Sequence, residues 1–528
     1  MCYERVMLTR RGFVVGGAGV AVAAALPWRA RAQQSEAPPP TDVKGLIAVG
    51  LDAAKAAGAS WADVRFERLR QQSLRSEDDH IVHSGDSESW GVGIRAIVDG
   101  AWGFAATWHT DRDAVAQAAR DAVAIGKANA RIVGRKVTLA PTAKAAGKWS
   151  SPFEIDPFNV PLGERVEALL AAARAALAET STKLKVQGTL QWISQEKTIG
   201  NTEGAYFEQR FLRGQPQLNV TAIDVKSGQF EASSTDSIIP AQQIGFEALR
   251  GTRFVDAGLH ATKLAQQRLG ATPVEPDKYD LVIAPSNLWL TIHESIGHPT
   301  ELDRMLGYEA NFAGTSFARV SDLGKLKYGS RLVNVVADRT QPHALGTLGW
   351  DDDGQPGDKW DLIKKGTFVG VQTTREQAAW VHDKHGHAGD YAESWSAVPF
   401  QRMPNVSLQP GTKRRTPEEI IADTKRGIYV EGRGSWSIDH QRYNFQFGGQ
   451  QFTLIENGKL TKPLRYVAYQ SNSVEFWRSL DALADARDYF VGGSLGDGKG
   501  EPMQSNPVSH GCVTSRFRGI RVINVRSS

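Results

Sequence analysis

The stretch Thr291-Ile-His-Glu-Ser-Ile-Gly-His-Pro-Thr-Glu-Leu-Asp-Arg304 places two histidines and a glutamate where a zinc-protease helix would have them, but the second histidine comes one residue late. In the H-E-x-x-H arrangement the imidazoles are four residues apart, so both tips reach one metal while the glutamate works on its water. His293 and His298 are five apart, and at about 100° per residue an ideal helix separates them by roughly 140°. Gly297 offers a repair, because a glycine before the second histidine permits a wider turn or a break that brings His298 back toward His293. Two histidines and Glu294 then supply two ligands and a proton acceptor for metal-assisted hydrolysis. Two helix-surface histidines flanking a glutamate would give the same letters.

Working outward, Tyr279-Asp-Leu-Val-Ile-Ala-Pro285 reads as a strand leading into a helix that begins near Ser286 and carries the motif. Strand-like runs follow, among them 330–338, 366–373, 451–469 with Asn457-Gly458 as its turn, and 518–525. Upstream, 43–60 has helical periodicity ending at glycine, 62–109 alternates in the strand manner with Asp99-Gly100 as a tight hairpin, and 111–128 and 162–179 return to a period near 3.6. The pattern predicts an α+β fold of two domains. The first, an α/β sandwich-like domain over 44–275, ends where two prolines and charges interrupt the chain. The second, over 276–528, is a β-rich mixed domain carrying the metal-binding helix.

The amino terminus reads as a twin-arginine secretion signal over 1–32, with Arg10-Arg11, a short Gly/Ala/Val run and Ala30-Arg31-Ala32 as cleavage site. A Pro-rich tether follows over 33–43. The expectation is a periplasmic protein with no stable membrane anchor once the signal is removed, since the apolar run is shorter than the ~20 residues a span requires. Removing 1–32 takes five of the 62 Lys+Arg and one of the 58 Asp+Glu, leaving 57 of each. A neutral mature chain without a basic run has no footing for nucleic acid. Cys2 leaves with the signal, so Cys512 stands alone and cannot form an intramolecular disulfide. No P-loop, dinucleotide fingerprint or Gly-x-Ser-x-Gly elbow occurs in its required context.

The segments 293–304, 350–370, 400–408 and 498–512, together with the glycine-rich run 88–107, resemble the TldD/PmbA family of metallopeptidases over most of the mature chain. That family's H-E-x-x-x-H motif has the same five-residue spacing. The resemblance implies zinc held by His293 and His298, Glu294 acting as general base on the metal-activated water, and a third ligand near the carboxyl terminus. Family sequences have a cysteine just before a Gly-Lys pair, where this chain has Asp497 before Gly498-Lys499. Asp497 is a chemically reasonable ligand and Cys512 is its rival; an oxygen donor in place of a thiolate makes Mn or Fe more plausible beside Zn. The resemblance also implies a homodimer, or a heterodimer with a related chain, enclosing the active site. Its substrates would then be peptides or unfolded polypeptide segments.

In the same light the loop 382–394 reads as substrate contact through His385 and His387, with His382 beside them, ahead of a second metal site; Arg402 has two equal readings, a partner for a substrate carboxylate or a structural ion pair. Glu301 and Asp303 either fix a histidine tautomer or are solvated helix-face carboxylates, the commoner outcome for such residues. Two other functions remain open from the sequence: a non-catalytic partner or maturation factor of a TldD-like complex with a decayed metal site, and a metal-dependent amidase on another substrate.

Overall fold

The computed structural model describes residues 39–178 and 182–526; the signal reading and the first part of the tether lie outside the described residues. Helix α1 (Val43–Ala57) starts at Asp42, whose carboxylate accepts the Gly45 N–H at 2.9 Å, and stops at Gly58 with φ 105°. A meander of β1 (Trp61–Glu77), β2 (His80–Val98) and β3 (Ala101–Thr107) follows. Its second turn has φ of 50° at Asp99 and 83° at Gly100, the left-handed pair that a tight hairpin demands. After α2 (Arg112–Asn129), β4 (Ala146–Ser150) and α3 (Leu162–Leu177) come β5 (Lys183–Asn201), β6 (Tyr206–Ile223) and β7 (Phe230–Ser234), and α4 (Arg253–Leu269) closes this half. The seven strands form one sheet in the order β3-β2-β1-β5-β6-β4, with β7 beside β6.

Side chains alternate across that sheet, and both faces are buried for different reasons. Val64, Phe66, Val92 and Ile94 pack with Ile47 of α1 and Val115 and Ala119 of α2. Further along, Val186, Leu190 and Val220 pack with Leu169 of α3 and Ala257 of α4. The intervening residues are charged and face the second half of the chain. Lys197 Nζ lies 2.9 Å and Arg65 Nη1 3.2 Å from Asp352, and Arg95 pairs with Asp353 at 2.9 Å and Asp390 at 2.7 Å. The two halves therefore meet through buried ion pairs on the back of the first sheet.

The change of sheet occurs over 270–277: Thr272 and Pro273 already pair with Leu464 and Arg465 of the second half. There β8 (Asp277–Ile283) lies parallel to β12 (Arg426–Ile438) and antiparallel to β17 (Ser515–Asn524). β17 pairs with β14 (Val467–Asn472), β14 with β13 (Asn444–Glu456), and β13 with β12, so the pairing closes a ring of five strands. A smaller sheet holds β9 (Val335–Asp338), β10 (Lys359–Lys364) and β11 (Asn405–Leu408), and β15 (Phe490–Lys499) with β16 (Gln504–Cys512) forms a hairpin. Between them runs α5 (Pro285–Ile292), buried along its whole length, with its polar side chains paired inside: Asn287 Nδ2 donates to Gly432 O at 2.8 Å and Thr291 Oγ1 lies 3.0 Å from the Tyr469 hydroxyl. Its Leu288 and Ile292, and Ile296 beyond it, sit in one core with Met403, Val406 and Val508.

Candidate metal centre

The helix does not end at Ile292. Residues His293–Gly297 continue it as a π turn, in which the N–H of His298 donates to the carbonyl of His293. A ring closed over five residues instead of four stacks side chains five apart, so the imidazole centroids of His293 and His298 come within 4.5 Å. Side chains take up the backbone groups that the deformation frees. Thr300 Oγ1 donates to Ile296 O at 2.8 Å and to Gly297 O at 3.1 Å, and Gln372 Nε2 donates to Gly297 O at 2.6 Å. Gly297 keeps right-handed helical angles, φ −52° and ψ −67°. The glycine serves space rather than φ: a Cβ there would lie 2.7 Å from Met403 Sδ in the core.

Asp497 arrives from β15, where a bulge between Ser494 and Asp497 interrupts pairing with β16. Its Oδ1 lies 3.5 Å from His293 Nε2 and 3.7 Å from His298 Nε2. Ligands at about 2.0–2.2 Å from a tetrahedral zinc stand roughly 3.3–3.6 Å from one another, so these are near the edges of such a tetrahedron. All three candidate ligand atoms fall within 4.8 Å of each other, and among the described residues no other group of three or more such side chains does so. The donor set fits a divalent cation.

Charge supports that fit. Burial alone would favour the neutral acid at Asp497, but the hydrogen bond and charge of His293, then His298 and Arg402, hold the carboxyl well below the usual range, as an anion. Burial also opposes a charged His293, yet Asp497 outweighs it and the pKa is raised. Burial and the nearby Arg442 push His298 well below the ordinary imidazole value. A neutral His298 gives its Nδ1 proton to Glu301 Oε2 at 2.9 Å, leaving Nε2 with a lone pair toward Asp497. Glu301 is in turn held by Arg304 Nε at 3.0 Å and Lys499 Nζ at 3.1 Å. Against the cost of burial, Lys499, His298 and Arg304 drive its pKa well down. Lys499 lies two residues beyond Asp497, so one strand end carries the acidic candidate ligand and also clamps the carboxylate behind His298.

Glu294 follows His293 on the π turn, and its carboxylate accepts a hydrogen bond from Arg442 Nη1. Arg442 sits at the tip of the β12–β13 hairpin with φ 61°, a left-handed conformation rarely adopted by a side chain of this size. The tip is fixed by Ser473 Oγ donating to Arg442 O at 2.7 Å and by Asp439 accepting the Tyr443 N–H at 2.8 Å. His510 approaches from β16, its Nε2 2.9 Å from His293 Nδ1. Burial pushes its pKa down to about 3, which keeps it neutral.

Several residues singled out in the sequence belong elsewhere. The Cys512 Sγ faces the Pro285 carbonyl at the start of α5, 3.6 Å away, two turns before the histidines, and burial raises its thiol pKa well above the ordinary value. It is a core thiol rather than the third member of the cluster. Arg402 is fully buried, with Nη1 on Gln504 O at 2.9 Å and Nη2 on Asp497 O, so it anchors the Asp497 strand, and burial rather than pairing closes it to a substrate carboxylate. Within the 382–389 loop His387 stacks on Trp360 with centroids 3.9 Å apart and pairs with Asp358 at 2.7 Å, His385 and His382 are exposed, and none of the three joins the cluster. Sequence reasoning did not find Arg442, His510 or Lys499. They come from hairpins distant in the chain, and only cross-strand register brings them in.

The chain is also similar to known proteins. A family model described as PmbA/TldA metallopeptidase C-terminal domain matches residues 276–524, and one described as PmbA/TldA metallopeptidase domain 1 matches 62–126. A metalloprotease of Methanocaldococcus jannaschii is 24% identical over 453 residues, spanning 86% of this chain and 95% of its own. A zinc metalloprotease TldD homologue of Saccharolobus solfataricus is 22% identical, spanning 88% of this chain and 97% of its own. Among solved structures, a Bacteroides thetaiotaomicron protein described as a modulator of DNA gyrase superposes with a TM-score of 0.70 at 16% identity, covering 92% of this chain and 99% of that one. That last likeness shows the fold.

Proposed function

The chain belongs to the PmbA/TldD metallopeptidase family, and on that premise we propose that it is an exported metallopeptidase that hydrolyses peptides or unfolded polypeptide segments. The observation that carries this reading is the convergence of His293 Nε2, His298 Nε2 and Asp497 Oδ1 beside the glutamate that follows His293. These three residues would hold the cation, zinc in the first instance, with manganese or iron favoured more than at a thiolate site because Asp497 is a hard oxygen donor. When bound there, the ion supplies Lewis acidity for a substrate carbonyl and makes water a better nucleophile.

The chain's own residues then divide the remaining work. Glu294 takes a proton from the attacking water as its oxygen bonds to the amide carbon, and returns it to the leaving amine as the C–N bond breaks. Arg442, hydrogen-bonded to that carboxylate, holds it in place between the two transfers. Glu301 orients His298, and Arg402 fixes the backbone of Asp497. Family membership favours a dimer, with itself or a related chain, enclosing this centre. Export rests on the twin-arginine reading of 1–32 and puts the mature chain in the periplasm.

The test uses zinc-loaded mature protein and one polypeptide in two forms, reduced and alkylated or natively folded. The proposal expects the unfolded form to be cut and Glu294→Gln to cut neither. Equal cleavage of the folded form removes the enclosed, dimeric arrangement. No cleavage of either form, across a peptide library as well, removes the peptidase. Substituting Arg10 and Arg11 with lysine should leave the precursor unexported.

A further inference from the structure

We propose that His510 is the positioning residue for His293, a neutral imidazole that accepts the His293 Nδ1 proton and so turns His293 Nε2 toward the cation. This inference rests on the metal-site reading above.

The hydrogen bonds determine which atom carries which proton. His510 Nδ1 lies 2.9 Å from Val406 O, and a backbone carbonyl only accepts, so Nδ1 carries the proton. Fully buried and hydrogen-bonded to no carboxylate, the ring carries that one proton only, so its lone pair is on Nε2, 2.9 Å from His293 Nδ1. His293 must donate there, which leaves its Nε2 as the atom that faces Asp497 at 3.5 Å. The relay runs Val406 carbonyl, His510, His293, cation site, and each link is satisfied.

The fold holds His510 in this orientation from three sides. The residue is fully buried on β16. Trp289, four residues before His293 on the same helix, stacks on it with ring centroids 6.1 Å apart and 7° between planes. Opposite His510 in the hairpin register stands Gly492, and a Cβ at that position would lie 2.3 Å from Trp289 Cδ1. The glycine therefore makes the room in which Trp289 lies flat against His510. Nothing in this packing serves the hydrophobic core alone, since a buried imidazole must find two polar partners.

The two histidines are thus positioned by different chemistry. His298 leans on Glu301, whose charge is matched by Arg304 and Lys499. His293 leans on a neutral ring, which among the described residues hydrogen-bonds to His293 and the Val406 carbonyl and to no lysine or arginine that would compensate a carboxylate there. An imidazole satisfies the ligand without adding a buried, unmatched anion.

The experiment uses mature protein stripped of metal, with zinc affinity measured by chelator competition for wild type, His510→Gln and His510→Leu, and melting of each apo form as the check on folding. Glutamine carries an acceptor oxygen to the position of Nε2, and leucine carries none. The proposal expects His510→Leu to bind zinc about 10–100-fold more weakly and His510→Gln to recover most of that loss. In zinc-loaded wild type, nitrogen-15 spectra of the histidines should show His293 protonated at Nδ1 and metal-bound at Nε2. This spectrum needs no variant, so it decides the matter even if His510→Leu fails to fold. Unchanged affinity in a folded His510→Leu, or His293 bound through Nδ1, overturns the role of His510 and leaves the metal site standing. Wild type that binds no zinc overturns the metal site itself, and this proposal with it.

Discussion

Replacing Lys499 with methionine should destabilise the carboxyl-terminal half severely, because the ammonium is fully buried between two carboxylates. Its Nζ lies 3.1 Å from Glu301 Oε1 and 2.9 Å from Asp303 Oδ2, and Arg304 is the other cation that reaches Glu301. Breaking a buried ion pair from one side costs about 3–5 kcal/mol, since the surviving charge keeps its desolvation penalty. For a unit of 150–250 residues each kcal/mol moves the melting midpoint by about 2–4 °C, which gives a fall of roughly 6–20 °C. Calorimetry at a fixed scan rate, on apo wild type and Lys499→Met, measures it. Adding Asp303→Asn should recover part of the loss, because burial outweighs Lys499 there and already holds the Asp303 pKa above its ordinary value. Glu301 has a depressed pKa in the folded chain, so its stabilisation is complete above the ordinary value of 4.5 and is lost as pH falls below it. The gap between wild type and variant should therefore narrow on acidification below 4.5. A midpoint shift under about 2 °C at neutral pH would refute the idea that this buried knot holds the strand end in place.

Glu294→Gln should retain the metal and lose about 10²–10⁴-fold in turnover, read as parallel metal analysis and peptide hydrolysis. Lys197→Met, which strips a cation from buried Asp352 at the junction of the halves, should cost about 3–5 kcal/mol and promote proteolytic nicking between them. Asp352 is held below its ordinary pKa of 3.8, against burial, by Lys197 and Arg65, so that junction is intact above 3.8 and loosens as pH falls below it. Limited proteolysis across pH 2–6 follows this. His385→Ala, at an exposed side chain that is no member of the cluster, should leave metal content and melting unchanged.

Much of the architecture is written in local sequence. Period-two alternation over 61–107 gives β1 to β3, and Asp99-Gly100 gives the hairpin because both positions take positive φ. Alternation does not say what covers each face. The charges at Arg65, Arg95 and Lys197 are buried against carboxylates some 155 to 295 residues away, which no local pattern announces. The five-residue spacing of the histidines was legible as a request for a wider turn, and the π turn supplies it; the reason for Gly297, the approach of Met403, was not. Asp497 came into view only through the family resemblance, whose sequences have a cysteine before the Gly-Lys pair. Arg442, 148 residues from Glu294, and His510, 217 from His293, were not legible, since strand register across hairpins fixes them. Arg402 stayed open between two readings for a related reason: sequence identifies a guanidinium but not the backbone carbonyls it bonds.

The central claim is that His293, His298 and Asp497 form one metal site and that Cys512 has no part in it. Elemental analysis of purified mature protein, beside Asp497→Ala and Cys512→Ala, tests it most directly. The account predicts about one divalent metal per chain in wild type and in Cys512→Ala, and its loss in Asp497→Ala alone. Metal lost in Cys512→Ala and kept in Asp497→Ala would contradict it.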